Sequence, residues 1–536
     1  MTISTRSCTV HEQRRLALTA ALALLFALAI LVAGRPALTD PVEFPAAVGR
    51  PNIVVLVVDD QELASFNPRV MPQTHRLLVE PGTTFEQNIV PTPQCCPFRA
   101  AFISGEYGHN NGILSNRPGY PSLVDPGNVL PVWLKRGGYR TALIGKWLNG
   151  YEDAVDDIAE PAPGWDDWQA SVTEGYYDYF LSDNGEIRGY GDRPSDYHTE
   201  VVTDRALDAI DRYSPGERPF FLWVAYWAPH KDLKRIRGRC DRAAIPAKRD
   251  LNAFKDVKLP RPPSFDELNT RDKPEVVRRL PKLDDAPLGV KIENKLGNYS
   301  CRLGALQAVD RSVASVVGAL ERSGELENTV IVYTSDNGFF LGEHRIPSGK
   351  TWAYEEGIHV PLVMRAPESV LDGAEAPSSV DDLVASIDLA PTFLELAGAE
   401  PCATDGDCRT LDGRSLVPLL EGERGAWPFD RGIALEAEET GEVGSRFPCK
   451  YQGIRTPRDV LVVHEEINNP ATRICEPTND HEYYDLRRDP FQLLNTWSLE
   501  RPHPRQQALL SRMINLRDCS GIQGRDPLPP SGHWCE

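Results

Sequence analysis

The sequence predicts an α/β protein: a large domain with a central, mostly parallel mixed β-sheet sandwiched by helices, followed by a small C-terminal antiparallel-sheet subdomain carrying a helix. Three observations predict it. Continuous apolar, β-branched runs recur ("NIVVLVVDD", "RPFFLWVAYWAPH", "NTVIVYTSDNG"), the pattern of strands buried on both faces of a parallel sheet. Between them, Tyr197 to Tyr213 and Tyr299 to Ser323 have helical periodicity, as expected of alternating strands and crossover helices. From about Gly425 the runs become short and alternating ("ALEAE", "YQGIRT", "DVLVVHE"), which suits an antiparallel sheet with one face covered.

The elements follow in order. Arg14-Arg15 precede an apolar run of 18 residues, Leu16 to Ala33, and Val32-Ala33-Gly34 offers small residues for cleavage. Residues 1–34 are therefore expected to be an export signal or an N-terminal membrane anchor, and 35–50 a Pro/Ala-rich linker. The large domain is expected over 51–424 and the smaller one over 425–536. The first buried run ends in Asp59-Asp60, and the C-terminal ends of central strands are where open α/β sheets bind ligands. Next comes "PTPQCCPFRAAFISGEYGHNNG". Pro is tolerated at a first helical position, so a helix is expected from Pro97, with Cys95 just before its N-terminus, where partial positive charge favours anions.

Leu130 to Arg136 reads as helix, and "YRTALIGKW" as a strand running into Lys146. The second buried run closes on His230. Lys231 to Lys295 is charged and Pro-rich, read as a long insertion over the ligand-binding face. In the helix after it, Leu303, Leu306, Val309, Val313 and Val316 form an apolar stripe. The third buried run ends in Asp336-Asn337-Gly338, and the loop "GEHRIPSGK" brings His344 and Lys350. "GIHVPLVMRAP" is a further strand, in which His359 reads as structural. "SIDLAPTFLELAG" is a helix, and a last helix is expected near Gln506 to Leu516.

Composition bounds the function. A chain of 536 residues with 41% hydrophobic and 25% charged residues is globular. A net charge of −19 argues against nucleic acid as a partner, so an anionic ligand needs locally placed cations or a metal. Of 11 cysteines, Cys8 lies in the N-terminal segment. With Cys95 and Cys96 set aside, eight remain, and neighbour pairing is expected: Cys240–Cys301, Cys402–Cys408, Cys449–Cys475 and Cys519–Cys535. Such bridges belong to an oxidising compartment, in agreement with an exported protein that is secreted, periplasmic or held at the cell surface.

On their own, two cysteines at a loop-to-helix junction read as buried packing residues. Cys95-x-Pro97-x-Arg99, followed by a small-residue helix and Ser104-Gly105, resembles the signature of the type I, formylglycine-dependent sulfatases of the alkaline-phosphatase-like superfamily. The order of the other motifs agrees: strand-Asp59-Asp60, "GKW" at Lys146, "PH" at His230, strand-Asp336-Asn337 and Lys350, with "YYDLRRDP" matching the family's C-terminal signature. The likeness runs from residue 51 to about 500. Phe98 replaces the usual Ser, and Leu148-Asn149 follow Lys146 where many arylsulfatases carry a His. That second pattern resembles the N-acetylglucosamine-6-sulfatase-like branch.

The resemblance implies a sulfuric ester hydrolase acting on sugar or aryl sulfates. It implies that Cys95 is converted to 3-oxoalanine (formylglycine) by a formylglycine-generating enzyme, and that its hydrate attacks sulfur. Asp59, Asp60, Asp336 and Asn337 match the family's metal ligands, an all-oxygen set suited to calcium or magnesium rather than zinc. Arg99, Lys146 and Lys350 match its charge-holding residues, and His230 or Lys350 is the expected proton donor to the leaving alcohol. The rival enzyme reading is a phosphonate monoester or phosphodiester hydrolase of the same superfamily. The rival outside enzymology is a surface binding protein with a dead site.

Overall fold

Alternation along a strand sends successive side chains to opposite faces of its sheet, and the first buried run shows what that achieves here. In a computed structural model, which describes residues 49–232, 240, 243–285, 292–371, 373–423, 425, 427–438, 449–466, 475–498 and 502–536, Asn52–Val58 is a fully buried strand (β1). Ile53, Val55 and Val57 enter one apolar core, and Val54, Leu56 and Val58 enter another on the far face. Each such side chain is worth about 1.5–3 kcal/mol of burial, so this strand locks the sheet from both sides.

The strands that follow are β2 (Thr83–Ile89), β3 (Arg140–Gly145), β4 (Asp167–Ala170), the hairpin β5 (Tyr179–Asp183) and β6 (Glu186–Tyr190), β7 (Phe220–Ala225), β8 (Thr329–Ser335), β9 (Leu362–Arg365) and β10 (Ser379–Ala385). Seven of them join β1 in one eight-stranded sheet, in the order β10-β2-β9-β8-β1-β7-β3-β4. Only β9 runs antiparallel to its neighbours within it, and β1 pairs in parallel with both β7 and β8. The three buried runs of the sequence are thus adjacent central strands, and their C-terminal ends open side by side.

Helices cover both faces. On one lie α1 (Cys95–Ser104), α2 (Leu130–Arg136) and α5 (Leu389–Ala397), through Phe98, Phe102, Trp133 and Phe393. On the other lie α3 (His198–Tyr213) and α4 (Ile292–Ser323), whose Leu303, Leu306, Val309, Val313 and Val316 make the expected stripe. Strands β11 (Ile433–Glu438), β12 (Lys450–Arg455), β13 (Asp459–Glu466) and β14 (Glu476–Asp485) form the antiparallel meander, with α6 (Pro504–Leu516) against it. This second sheet shares a core with Ala101, Trp352 and Ile358, and the described residues form one compact unit.

All four neighbour disulfides are present, and Cys95 and Cys96 are free and buried. One boundary differs from expectation. Helix α1 begins at Cys95 with Gln94 as N-cap, so Pro97 is its third residue, not its first. The cause is that the first four N–H groups of any helix lack intrahelical partners, so Pro is as acceptable at the third position as at the first. The expected export segment 1–34, with Cys8, and nearly all of the linker 35–50 lie outside the described residues, as do parts of the 231–295 insertion. The described part of that insertion makes irregular turns. Its Ser264 and Glu267 pack under the loop that carries Lys350, and its Asp272 accepts from Asn495 beside the C-terminal sheet.

Candidate active site

Chain turns after β1, β3, β7 and β8 and the first turn of α1 bring the expected residues together. After β1 the backbone turns sharply, with Asp60 at φ 70°. This left-handed conformation, tolerated best by Gly, Asn and Asp, lets Asp59 and Asp60 both face the same point. Helix α1 enters that point N-terminus first. Cys95 Sγ lies 3.3 Å from Asp59 Oδ1 and 2.7 Å from Lys350 Nζ. Cys96 faces the opposite way, into the apolar core, with its sulfur 3.7 Å from the Asn149 carbonyl.

Arg99, one helical turn on, is fully buried. It donates to Asp336 Oδ2 at 3.0 Å and to the Lys146 carbonyl at 2.8 Å. Lys146 follows Gly145, where any Cβ would lie 2.0 Å from the Ala225 carbonyl, so only glycine lets the end of β3 run this close to its parallel neighbour β7. Its ammonium pairs with Asp59 and sits 4.7 Å above the Trp227 ring. Lys350 pairs with Asp60 and reaches Asp59 Oδ1 at 3.8 Å. His230 Nε2 stands 3.6 Å from Asp60 Oδ2, while its Nδ1 is 2.7 Å from the Lys231 carbonyl. A carbonyl can only accept, so Nδ1 carries the proton and Nε2 faces the site bare.

The charges are strongly coupled. Burial opposes ionisation of Asp59, yet Lys146, His230, Lys350 and Arg99 together hold its carboxyl far below the usual range. Asp60 is held down as well, against burial, by Lys350 and His230. Asp336 moves the other way, pushed up by burial and by Asp59. Burial pulls His230 down to about 4 despite Asp60 and Asp59 beside it. Burial and Asp59 push the Cys95 thiol far up. Lys350 stays a cation, because the attraction of Asp60 outweighs the cost of burying it.

The donor set fits a hard divalent cation. Ligand atoms of Asp59, Asp60, Cys95 and His230 lie within 4.8 Å of one another. Asp336 Oδ1 accepts from the Asp60 N–H at 3.0 Å, and Asn337 Nδ2 donates to Asp60 Oδ1 at 2.8 Å. The other end of that amide, Asn337 Oδ1, is buried without a hydrogen-bond partner among the described residues. An unpaired buried carbonyl oxygen among carboxylates is costly unless a cation takes it.

Two supporting residues escaped the sequence reading. Arg302 of α4, buried to 1% side-chain exposure, pairs with Glu62 and donates to the Asp60 carbonyl and, at 3.2 Å, to the Pro229 carbonyl. It thus ties the Asp60 turn to the His230 turn. Its signal was present: position 302 is four residues before Leu306, in register with the apolar stripe. Trp227, under Lys146, is the other. His344, by contrast, lies outside the cluster. It is fully buried between Glu267 (2.8 Å) and Glu356 (3.7 Å), stacked on Tyr354. His359 bonds the Glu86 carbonyl and pairs with Glu355.

The model of the family described as Sulfatase matches residues 51–399. The chain belongs to the sulfatase family. It is 31% identical to an N-acetylglucosamine-6-sulfatase of Homo sapiens over 508 residues, covering 90% of this chain and 87% of the relative. It is also 31% identical to an arylsulfatase of Volvox carteri, covering 91% of this chain and 78% of the relative. Among solved structures, BT4656 in complex with its substrate D-glucosamine-2-N,6-O-disulfate superposes with a TM-score of 0.66 at 24% identity, covering 87% of this chain and 97% of that one. That likeness gives the fold. As a sulfatase, the protein is a sulfuric ester hydrolase.

Proposed function

We propose that this sulfatase hydrolyses sulfate monoesters of sugars, with aryl sulfates as accessory substrates, outside the cytosol. Cys95, once converted to formylglycine by a generating enzyme, is the nucleophilic position. Asp59, Asp60, Asp336 and Asn337 hold calcium, with magnesium as the alternative ion. The carrying observation is the convergence of Cys95 Sγ with Lys350 at 2.7 Å and Asp59 at 3.3 Å. The sulfatase family match supports an oxygen nucleophile at position 95 in place of the cysteine sulfur. Hydrated formylglycine supplies that oxygen, and the cation, when bound, supplies Lewis-acid polarisation and a template for sulfate oxygens.

The chain's own residues do the rest. Arg99 holds the helix N-terminus and Asp336 in register. Lys146 and Lys350, already directed at the carboxylates beside Cys95, meet the charge of the sulfate as it enters. The leaving alcohol needs a proton, which Lys350 carries at rest; His230 gives one from Nε2 after taking a second proton. The Trp227 ring covers one side of the Lys146 ammonium. Export is supported by the four disulfides together with the apolar N-terminal run, whether that run is cleaved or kept as an anchor.

Mass spectrometry of the peptide spanning Cys95 tests the reading, alongside turnover of glucosamine 6-sulfate and 4-nitrophenyl sulfate before and after chelation. The expected result is the mass of formylglycine at 95 but not 96, and loss of turnover on chelation with recovery on adding calcium. Cys95→Ala abolishes turnover, whereas Cys96→Ala retains most of it. Full activity of Cys95→Ala, or indifference to exhaustive chelation, would refute it.

A further inference from the structure

The C-terminal subdomain carries a cleft of about 390 Å³ that none of the residues around Cys95 lines. One wall is α6, which presents Arg505, Ala508, Leu509 and Arg512 along a single face, at the spacing of neighbours on a helix. The turn between β12 and β13 adds Arg458, the chain just beyond β14 adds Arg487, and Phe429 and Asp430 close the cleft ahead of β11. The protein as a whole has a net charge of −19. Here, in contrast, four arginines line one cleft with only two carboxylates, Asp430 and Asp459.

Pairing inside the cleft leaves positive charge over. Asp459 is fully buried and already held by Arg505, at 2.8 and 2.9 Å, and by the Tyr483 hydroxyl, at 2.8 Å. Arg458 pairs with Asp485, which lies outside the lining. Arg512 donates to the Asp430 carbonyl at 2.7 Å but meets the Asp430 carboxylate only at 3.4 Å, where that side chain is 79% exposed. A pair so exposed is worth about 0–1 kcal/mol and yields readily to a better anion. Arg487 is exposed, and its side chain has no ion pair or hydrogen bond among the described residues. Four guanidinium charges less these three carboxylates leave one positive charge, on Arg487. A cleft of one sign draws in anions, and each guanidinium offers a fork of N–H donors that fits tetrahedral oxyanions.

Phe429, Pro457, Ala508 and Leu509 supply apolar surface between the cations. Apolar walls with a few placed charges suit a sugar ring bearing an anionic substituent. We propose that this cleft is an anchoring site, separate from the active site, for a sulfated polysaccharide, one of whose sulfate groups it takes on Arg487 and Arg512. Such an anchor keeps the enzyme on a polymer that bears many esters. The choice of a sulfated saccharide among anions rests on the sulfate-ester reading above; the anion site itself does not.

In the test, dextran sulfate is titrated into the whole mature protein, with unsulfated dextran, inorganic sulfate and an oligodeoxynucleotide as comparison arms at equal ionic strength. Dextran sulfate is expected to bind more tightly than the other three, and less tightly as salt is raised. Arg487→Glu is expected to weaken that binding about fivefold, and Arg487→Glu with Arg512→Glu about tenfold or more. Arg322→Glu makes the same charge change at an exposed residue near the end of α4, outside the cleft, and is expected to alter binding less than about twofold. Turnover of 4-nitrophenyl sulfate is expected to be unchanged in Arg487→Glu, and thermal melting checks the fold of each variant. Equal losses in Arg487→Glu and Arg322→Glu overturn the proposal, as does an oligodeoxynucleotide or inorganic sulfate that binds as tightly as dextran sulfate. Failure of cleft-dependent binding with turnover intact strikes this inference alone. Missing turnover with that binding intact strikes the sulfate-ester reading and leaves the anion site standing.

Discussion

Replacing Arg302 with methionine keeps the length and apolar stem of the side chain and removes its charge and all five N–H donors. The site loses an ion pair whose partners are 1% (Arg302) and 8% (Glu62) exposed, and two backbone carbonyls, of Asp60 and Pro229, lose a donor. Breaking a buried pair from one side leaves an uncompensated charge and costs about 3–5 kcal/mol. For a chain of this size that lowers the melting temperature by roughly 3–5 °C. Both carbonyls belong to turns that aim functional side chains, Asp60 at the proposed cation and His230 in its proposed role towards the leaving group. Displacing either by about 1 Å costs on the order of 10²-fold in rate. Turnover of 4-nitrophenyl sulfate is therefore expected to fall by one to two orders of magnitude at a temperature where the variant is fully folded, and the calcium requirement to rise. Adding Glu62→Gln to Arg302→Met removes the stranded charge and is expected to restore about half of the lost stability but little of the rate, because the turns remain untied. Measurement is by thermal melting and calcium titration of turnover. A single variant with wild-type melting and wild-type rate would refute the account, and so would a double variant that recovers both.

Two further outcomes follow from the geometry. His230→Ala is expected to damage sugar-sulfate hydrolysis about 10²–10⁴-fold but 4-nitrophenyl sulfate hydrolysis much less, since an activated phenol leaves without a proton; Lys146→Ala slows both alike, and equal losses in His230→Ala would remove it from proton transfer. His344 is the pH-sensitive brace: burial disfavours its charge, but Glu267 and Glu356 raise it from 6.5 to about 9. A group raised on folding contributes stability that is fully present below 6.5 and lost as pH rises through about 9, so the melting temperature is expected to fall over that window in the wild type and much less in Glu267→Gln. Parallel pH profiles for the two proteins would count against this role.

Much of the fold was legible because its signals are local. A run such as Val54 to Val58 is apolar at every position only if both faces of its strand are buried, so "NIVVLVVDD" announces a central parallel strand without help from the rest of the chain. The same holds for the stripe of α4 and for the disulfides between neighbouring cysteines. Strands with mixed patterns were not legible. Thr83–Ile89 alternates irregularly in burial, and Ser379–Ala385 exposes Asp381 and Asp382. These two pair with each other at one edge of the sheet, where what decides their state is the partner strand.

The site divides the same way. The residue types at the ends of the three buried runs and in Cys95-x-Pro97-x-Arg99 were determined by the sequence, because a strand's last residues and a helix's first turn hold chemistry at fixed local offsets. Three things only the tertiary structure decided. It turned Cys95 towards Asp59 and Lys350 and Cys96 into the core, a difference of 100° around one helix that adjacent positions share until a neighbouring sheet fixes the phase. It set Arg302 between two turns from which it is separated by 242 and 73 residues. And it brought Glu174 and Lys146 into the lining of one cleft. Coulomb forces and packing act through space, so residues that are distant along the chain disclose their partnership only once the chain has folded.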